Sequence, residues 1–218
     1  LVFGTLSHQQ LLAGAAAYRL EPEAEHLAVR VRPTAECDAR RVERLLQPAR
    51  WTAGVVGVVD NDVVAVLREL PPTELPVTAG VGPPAVLGAL SRSFAMAGRA
   101  LEAALAFGRI GWHRLDDLSV RAAVVADDMV GELLDRCYLS ALADLGPFGD
   151  ELLTSVRTFF AHEQNVDVAA RALFVHPNTL RHRLRRFEEV VGVNLRNPDH
   201  LVEVWWTLRR GDLRGDGP

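Results

Sequence analysis

A chain of 218 residues with 49% hydrophobic content can bury one large or two modest cores, and its formal charge of −4 excludes a protein coated in basic surface. All 24 basic residues are arginine, 14 of them set against 18 acids before Asp150 and 10 against 10 from there on, so any anion-binding region must be local. Cys37 and Cys137 are too few for a disulfide framework and lack metal-ligand spacing, no apolar run reaches the roughly 18 residues of a membrane span, and the alanine-rich start from Leu11 to Ala17 is too short for a signal peptide.

A cytoplasmic protein with no membrane partner, metal or cofactor is therefore expected. The sequence opens at Leu1 rather than Met, which leaves room for a sensor domain upstream.

The first two-thirds reads as α/β. His26 to Arg32 predicts a strand and Cys37 to Leu46 a helix. Val55–Val59 and Val63–Leu67 predict a hairpin around the turn Asp60-Asn61-Asp62. Val77 to Val81 supplies another strand. Pro83 and Pro84 open a helix to about Ala106, with Val86, Leu90, Phe94, Ala97 and Leu101 at helical spacing. Trp112 to Leu115 adds an edge strand. This is a sheet with helices and no third layer. The Gly80-Val81-Gly82-Pro83-Pro84 stretch has the look of a phosphate loop, but its prolines lack the amides that would cradle an anion, so it reads as a strand-to-helix turn.

Asp127 to Leu145 predicts a helix with Met129, Leu133, Leu134, Tyr138 and Leu142 on its apolar side, ended by Gly146-Pro147-Phe148-Gly149. Asp150 to His162 follows as a helix with Leu152, Val156 and Phe159 inward. A short helix from Val166 to Leu173, capped by Asp167, carries Val166, Ala170 and Leu173 on one stripe. The next helix has sharper limits, because Pro177 suits its first position, Val175 and Leu180 can form a hydrophobic staple, and Gly192 can close its end near Val191. Leu195 to Pro198 turns the chain into a last helix from Asp199 to Arg210, and the tail from Gly211 reads as disordered. On that helix Leu201, Val204, Trp205 and Leu208 share the core face, which leaves Trp206 either as an exposed anchor for a homodimer or packed locally against the linker region around Phe148.

At about 100° per residue, Leu180, Leu184, Phe187 and Val191 form the inner stripe of the helix Pro177–Val191. Asn178, His182, Arg185 and Glu189 lie opposite, flanked by Thr179, Arg181 and Arg186. From His176 to Arg186 there are four arginines and no acid. That face can neutralise phosphates while Asn178 and Thr179 reach base edges, the arrangement of a DNA-binding helix-turn-helix. Asn178, Thr179, Arg181, His182, Arg183, Arg185 and Arg186 are the expected DNA-binding residues.

This segment, with VHPNTLRHRLRR followed by EEVVGVNLRNPDHLVEVWWTLR, resembles the C-terminal helix-turn-helix of PucR-type transcriptional regulators, which include the CdaR sugar-diacid regulators. It is also similar to the helix-turn-helix of the factor for inversion stimulation. The resemblance implies a sequence-specific DNA-binding regulator, with residues 177–191 in the major groove of double-stranded DNA. Pro177 stands where the PucR family more often carries a basic residue, so one contact expected from the family is absent.

The order strand, helix, hairpin, strand, helix, edge strand is similar to the GGDEF-like domain that precedes the helix-turn-helix in many such regulators. The implied organisation is a degenerate GGDEF-like α/β domain over 1–118, with an effector or dimerisation role, a helical linker over 119–149, and an all-α DNA-binding domain over 150–213. True GGDEF domains are nucleotide cyclases, whose chemistry needs acids on a divalent metal and glycines at the hairpin. Here the hairpin reads Val59-Asp60-Asn61-Asp62-Val63, and Arg30 and Arg32 end the strand where the family's metal-binding Asp is expected. Asp60 and Asp62 are default turn residues. The seven histidines are scattered with no paired spacing, and no catalytic residue is assigned. The alternative function is a small-molecule or nucleotide sensor built on this inactive cyclase fold, with an unidentified effector.

Overall fold

The computed structural model describes residues 8–47, 54–72 and 74–214. Contacts divide the chain into two compact units, Leu1–Ala126 and Asp127–Pro218.

In the first unit, β1 (Leu27–Val31), β2 (Gly54–Val59), β3 (Asp62–Leu67), β4 (Thr78–Val81) and β5 (Gly111–His113) form one sheet in the order β2-β3-β1-β4-β5. Among the described residues, only β4 and β5 pair in parallel. Val59 lies opposite Asp62, so the hairpin loop is Asp60-Asn61, with Asp60 at φ +56°, and Asp62 belongs to the strand rather than the turn.

Alternate residues of the central strands point to opposite faces. Leu27, Val29 and Val31 pack with Val63, Ala65 and Leu67 against Val42 and Leu46 of α2 (Ala39–Leu46). Ala28, Val64 and Val66 pack with Ala15 of α1 (His8–Ala17) and with Leu90 and Phe94 of α3 (Leu90–Ala106). The sheet is thus covered by helices on both faces, which corrects the expected plan without a third layer. The cause lies in β3, which reads DVVAVL and buries both parities.

Helix α3 begins at Leu90, not at Pro83. Ala85 and His26 exchange both backbone hydrogen bonds at 2.9 Å, which holds this stretch extended until a 3-10 turn at Leu87–Ala89. The edge strand ends at His113, and Leu115 opens α4 (Leu115–Leu118), where the Asp117 carboxylate accepts from the Arg114 amide. In α5 (Arg121–Ala126), Ala122 packs with Leu118 against Ala100, Ala103 and Ala104 of α3. The expected linker 119–149 is therefore split, its first part belonging to this core.

His26 is fully buried. Its Nδ1 sits 2.8 Å from the Ala24 carbonyl, which can only accept, so Nδ1 carries the proton and Nε2 is left without a partner among the described residues. Burial holds the imidazole below its ordinary pKa, outweighing the opposite pull of the Ala24 bond. The unfolded chain therefore takes up a proton as pH falls through about 6.5, while the folded chain resists. The contribution to stability is full above that pH and declines below it. Hydrogen exchange of the β1 amides at pH 7.5 and 5.5 should show this acid sensitivity in the wild type and less of it in His26→Gln. An equal loss of protection in both proteins would contradict it.

The second unit is all α: α6 (Asp128–Tyr138), α7 (Ser140–Ala143), α8 (Pro147–Ala161), α9 (Val166–Ala172), α10 (Pro177–Val191) and α11 (Pro198–Arg214). Its core holds Leu142, Leu152, Val156, Ala169, Ala170, Leu180, Leu184, Phe187, Val204 and Leu208. The helix expected over 127–145 breaks at Leu139. Met129 and Leu133, expected inward, are 78% and 51% exposed. The buried side of α6 runs instead through Gly131, against the Arg210 guanidinium. Arg210 is itself buried, paired with Asp128 at 2.9 Å and Asp135 at 3.3 Å, while Arg214 reaches Asp135 at 2.8 Å. Tyr138 donates to Glu203 of α11, and burial, reinforced by that carboxylate, raises its phenol pKa.

Pro147 starts α8 rather than preceding it, in the first helical turn, and only Gly146, at φ +55°, stays outside the helix as its cap. Helix α11 continues through Gly211 to Arg214, which corrects the disordered tail as far as that residue; residues 215–218 lie outside the described set. Trp206 is half-buried with its indole Nε1 enclosed, so it is not the exposed anchor expected from the helix face.

Candidate nucleic-acid interface

Helix α9 is capped by Asn165 rather than Asp167. The Asn165 Oδ1 accepts from the amides of Asp167 and Val168, both at 3.1 Å. Ala169 and Ala170 are fully buried, and their small side chains allow the close crossing of α9 and α10. Past Leu173 the chain reverses at Phe174, with φ +56°. The Phe174 amide donates to Arg171 and the Val175 amide to Ala170, the double closure of a Schellman motif.

Helix α10 then starts with His176 as its cap, whose Nδ1 accepts from the Asn178 amide at 3.2 Å, and with Pro177 in the first turn. It ends at Gly192, at φ +77°. Leu180, Leu184 and Phe187 are buried, and Val175 packs on the same core. This inner stripe fixes the rotation of the helix.

Asn178, Thr179, Arg181, His182, Arg185 and Arg186 are all exposed. Arg181 donates to Asn178 at 2.9 Å and pairs with Asp167 at 3.5 Å, and Arg186 pairs with Glu189 at 3.0 Å. Exposed pairs of this kind are worth roughly 0–1 kcal/mol, so phosphates can displace them. Arg185 has no hydrogen bond or ion pair among the described residues. Arg183 departs from the expected set: its side chain is only 23% exposed and pairs with Glu151 of α8 at 2.8 Å. It ties α10 to α8.

Arg196, in the turn before α11, was not among the expected residues. It is exposed and lines, with Arg181 and Arg185, a cleft of about 440 Å³ floored by Phe159, Leu184 and Leu201. A lone arginine in an Asn-Pro turn carries no local signal; only the packing of α11 brings it to α10.

Two helices joined by a tight turn, the second capped, basic on one side and packed on the other, make a helix-turn-helix. Residues 152–210 match the PucR C-terminal helix-turn-helix domain, and this part of the chain is such a domain. Over 75 residues the chain is 32% identical to an uncharacterized protein in the pkwA 5′ region of Thermomonospora curvata, covering 34% of this chain and 42% of that one. Over 58 residues it is 33% identical to the uncharacterized protein YsfB of Bacillus subtilis (strain 168), covering 27% and 16%. The chain thus spans less than half the length of these relatives. A crystal structure of a regulator of polyketide synthase expression from Bifidobacterium adolescentis aligns over 98% of this chain and 95% of its own, at 22% identity and a TM-score of 0.39. Among the described residues, no helix is long and apolar enough to cross a membrane.

Proposed function

We propose that the chain is a sequence-specific, DNA-binding transcriptional regulator that lays α10 in the major groove. The observation that carries this reading is the exposed face of α10, where Asn178 and Thr179 stand at the N-terminal turn and Arg181, His182, Arg185 and Arg186 follow, with no acid between His176 and Arg186. The first two offer hydrogen bonds to base edges and the arginines neutralise phosphates. Arg196 joins the phosphate contacts, and Arg183 serves the fold. A homodimer on half-sites about one helical turn apart, roughly 34 Å, would supply the affinity that one short helix lacks.

Arg181→Ala and Arg185→Ala should each weaken binding and lower the slope of log affinity against log salt by about one unit. Arg183→Ala should instead lower thermal stability with little change in slope. An unaltered slope in both of the first two variants would remove α10 from the DNA interface.

The first unit is proposed as a degenerate, non-catalytic GGDEF-like domain that takes up a small-molecule effector or mediates dimerisation. Its support is the element order and the pairing of Asp62 with Arg30 and Arg32, which engages both of its carboxylate oxygens.

A further inference from the structure

Phe174 is the most exposed large hydrophobic side chain described, at 96% of its full accessibility. It also takes φ +56°, a left-handed conformation that is an outlier for a bulky residue and the place where helices usually end in glycine. The chain makes that usual choice one helix later, where Gly192 closes α10 at φ +77°. At the end of α9 it accepts both backbone strain and a bare aromatic ring. Neither helps the domain fold.

The surroundings narrow what the ring meets. Phe174 lies two residues before the His176 cap, so its Cα is within about 7 Å of the cap, at the end of α10 that carries Asn178 and Thr179. Its exposed neighbours along the chain are Arg171, Ala172 and His176, none of them a large apolar residue. A protein-docking patch would be broader and more apolar. A hydrocarbon ring gains nothing from phosphate, and the apolar feature that DNA offers in the major groove is the thymine 5-methyl group.

We propose that Phe174 is a DNA-contacting residue that packs on a thymine methyl beside the N-terminus of α10. The proposal rests on the reading of α10 as the recognition helix and adds a thymine contact from outside that helix, beside Thr179.

The test uses duplexes selected by the full chain from a random pool, then resynthesised with deoxyuridine in place of each thymidine in turn. Wild type should lose about fourfold in affinity at the contacted position, the worth of one buried methyl. Phe174→Gly should bind the thymine duplex more weakly by at least that factor and become indifferent to the uracil change. Its Tm should rise by roughly 4 °C as the strain is released. Phe174→Leu should keep the methyl preference.

Wild type indifferent to every uracil change, or Phe174→Gly binding as tightly as wild type, overturns the contact while leaving α10 as the recognition helix. Failure of the wild type to enrich any duplex overturns both readings. A lower Tm in Phe174→Gly would mean that the ring supports the fold, and that also overturns the proposal.

Discussion

Gly80→Ala is expected to unfold the first unit. Gly80 lies in β4, beneath α3, and a Cβ there would run into the Ala97 carbonyl oxygen and stand 2.6 Å from the Leu101 amide nitrogen. Both are backbone atoms of a helix held by Phe94, Ala97, Ala100 and Leu101, all buried. A flexible side chain could swing away, but this helix must lift from the sheet. Overpacking typically costs about 1–3 kcal/mol, and a clash with two backbone atoms of one rigid helix belongs at or above the top of that range. Gly57→Ala in β2 is the control, since its Cβ would meet nothing within 4 Å. Amide protection in β1, β3 and β4 should collapse in Gly80→Ala and survive in Gly57→Ala. Wild-type protection in Gly80→Ala would mean that α3 does not lie directly on β4.

The packing of α3 also bears on the Gly80–Gly82 stretch, whose sequence reads as a turn rather than a phosphate loop. Gly80 and Gly82 have the spacing of a phosphate loop, yet a Cβ at Gly82 would stand 2.7 Å from the Ser93 carbonyl carbon, and the Gly82 amide donates to Ala28. The glycines admit a helix, not an anion.

Local signals carried the sequence reading furthest. The bounds of α10 follow from Pro177, the Val175–Leu180 staple and Gly192, and its inner stripe of Leu180, Leu184 and Phe187 follows from periodicity. The hairpin and the central strand were legible for the same reason.

What failed was set at long range. Periodicity puts Met129 and Leu133 on one side of α6, but the side that packs is chosen by Arg210, buried beside Gly131 and paired with Asp128 and Asp135. Arg183 lies beside the inner stripe and meets Glu151 of α8, whereas Arg185 lies opposite that stripe. The start of α3 depends on pairing between Ala85 and His26. The cap of α9 was misread by two residues, as two amide-accepting side chains, Asn165 and Asp167, stand close together.

Asp62→Ala is the second large effect expected, and it bears on whether this domain could ever hold a metal. The Asp62 side chain is 3% exposed and is gripped by Arg30 at 2.8 Å and Arg32 at 2.5 Å; Arg32 also reaches Glu102 at 2.7 Å. The hydrogen bond to Asp62 is the main reason that the Arg32 guanidinium holds its proton more tightly than usual. Removing the carboxylate strands two half-buried cations side by side on β1. Breaking a buried pair costs about 3–5 kcal/mol, and because both guanidiniums keep some access to water the lower end applies. The unfolding midpoint of the first unit should therefore drop sharply in Asp62→Ala and only slightly in Glu102→Ala, because the Glu102 side chain is itself 57% exposed. With Asp62 already neutralised, millimolar Mg²⁺ or Mn²⁺ should leave the wild-type midpoint where it is. A midpoint that climbs with either ion, and does so in wild type but not in Asp62→Ala, would make Asp62 a metal ligand and overturn its reading as a structural carboxylate.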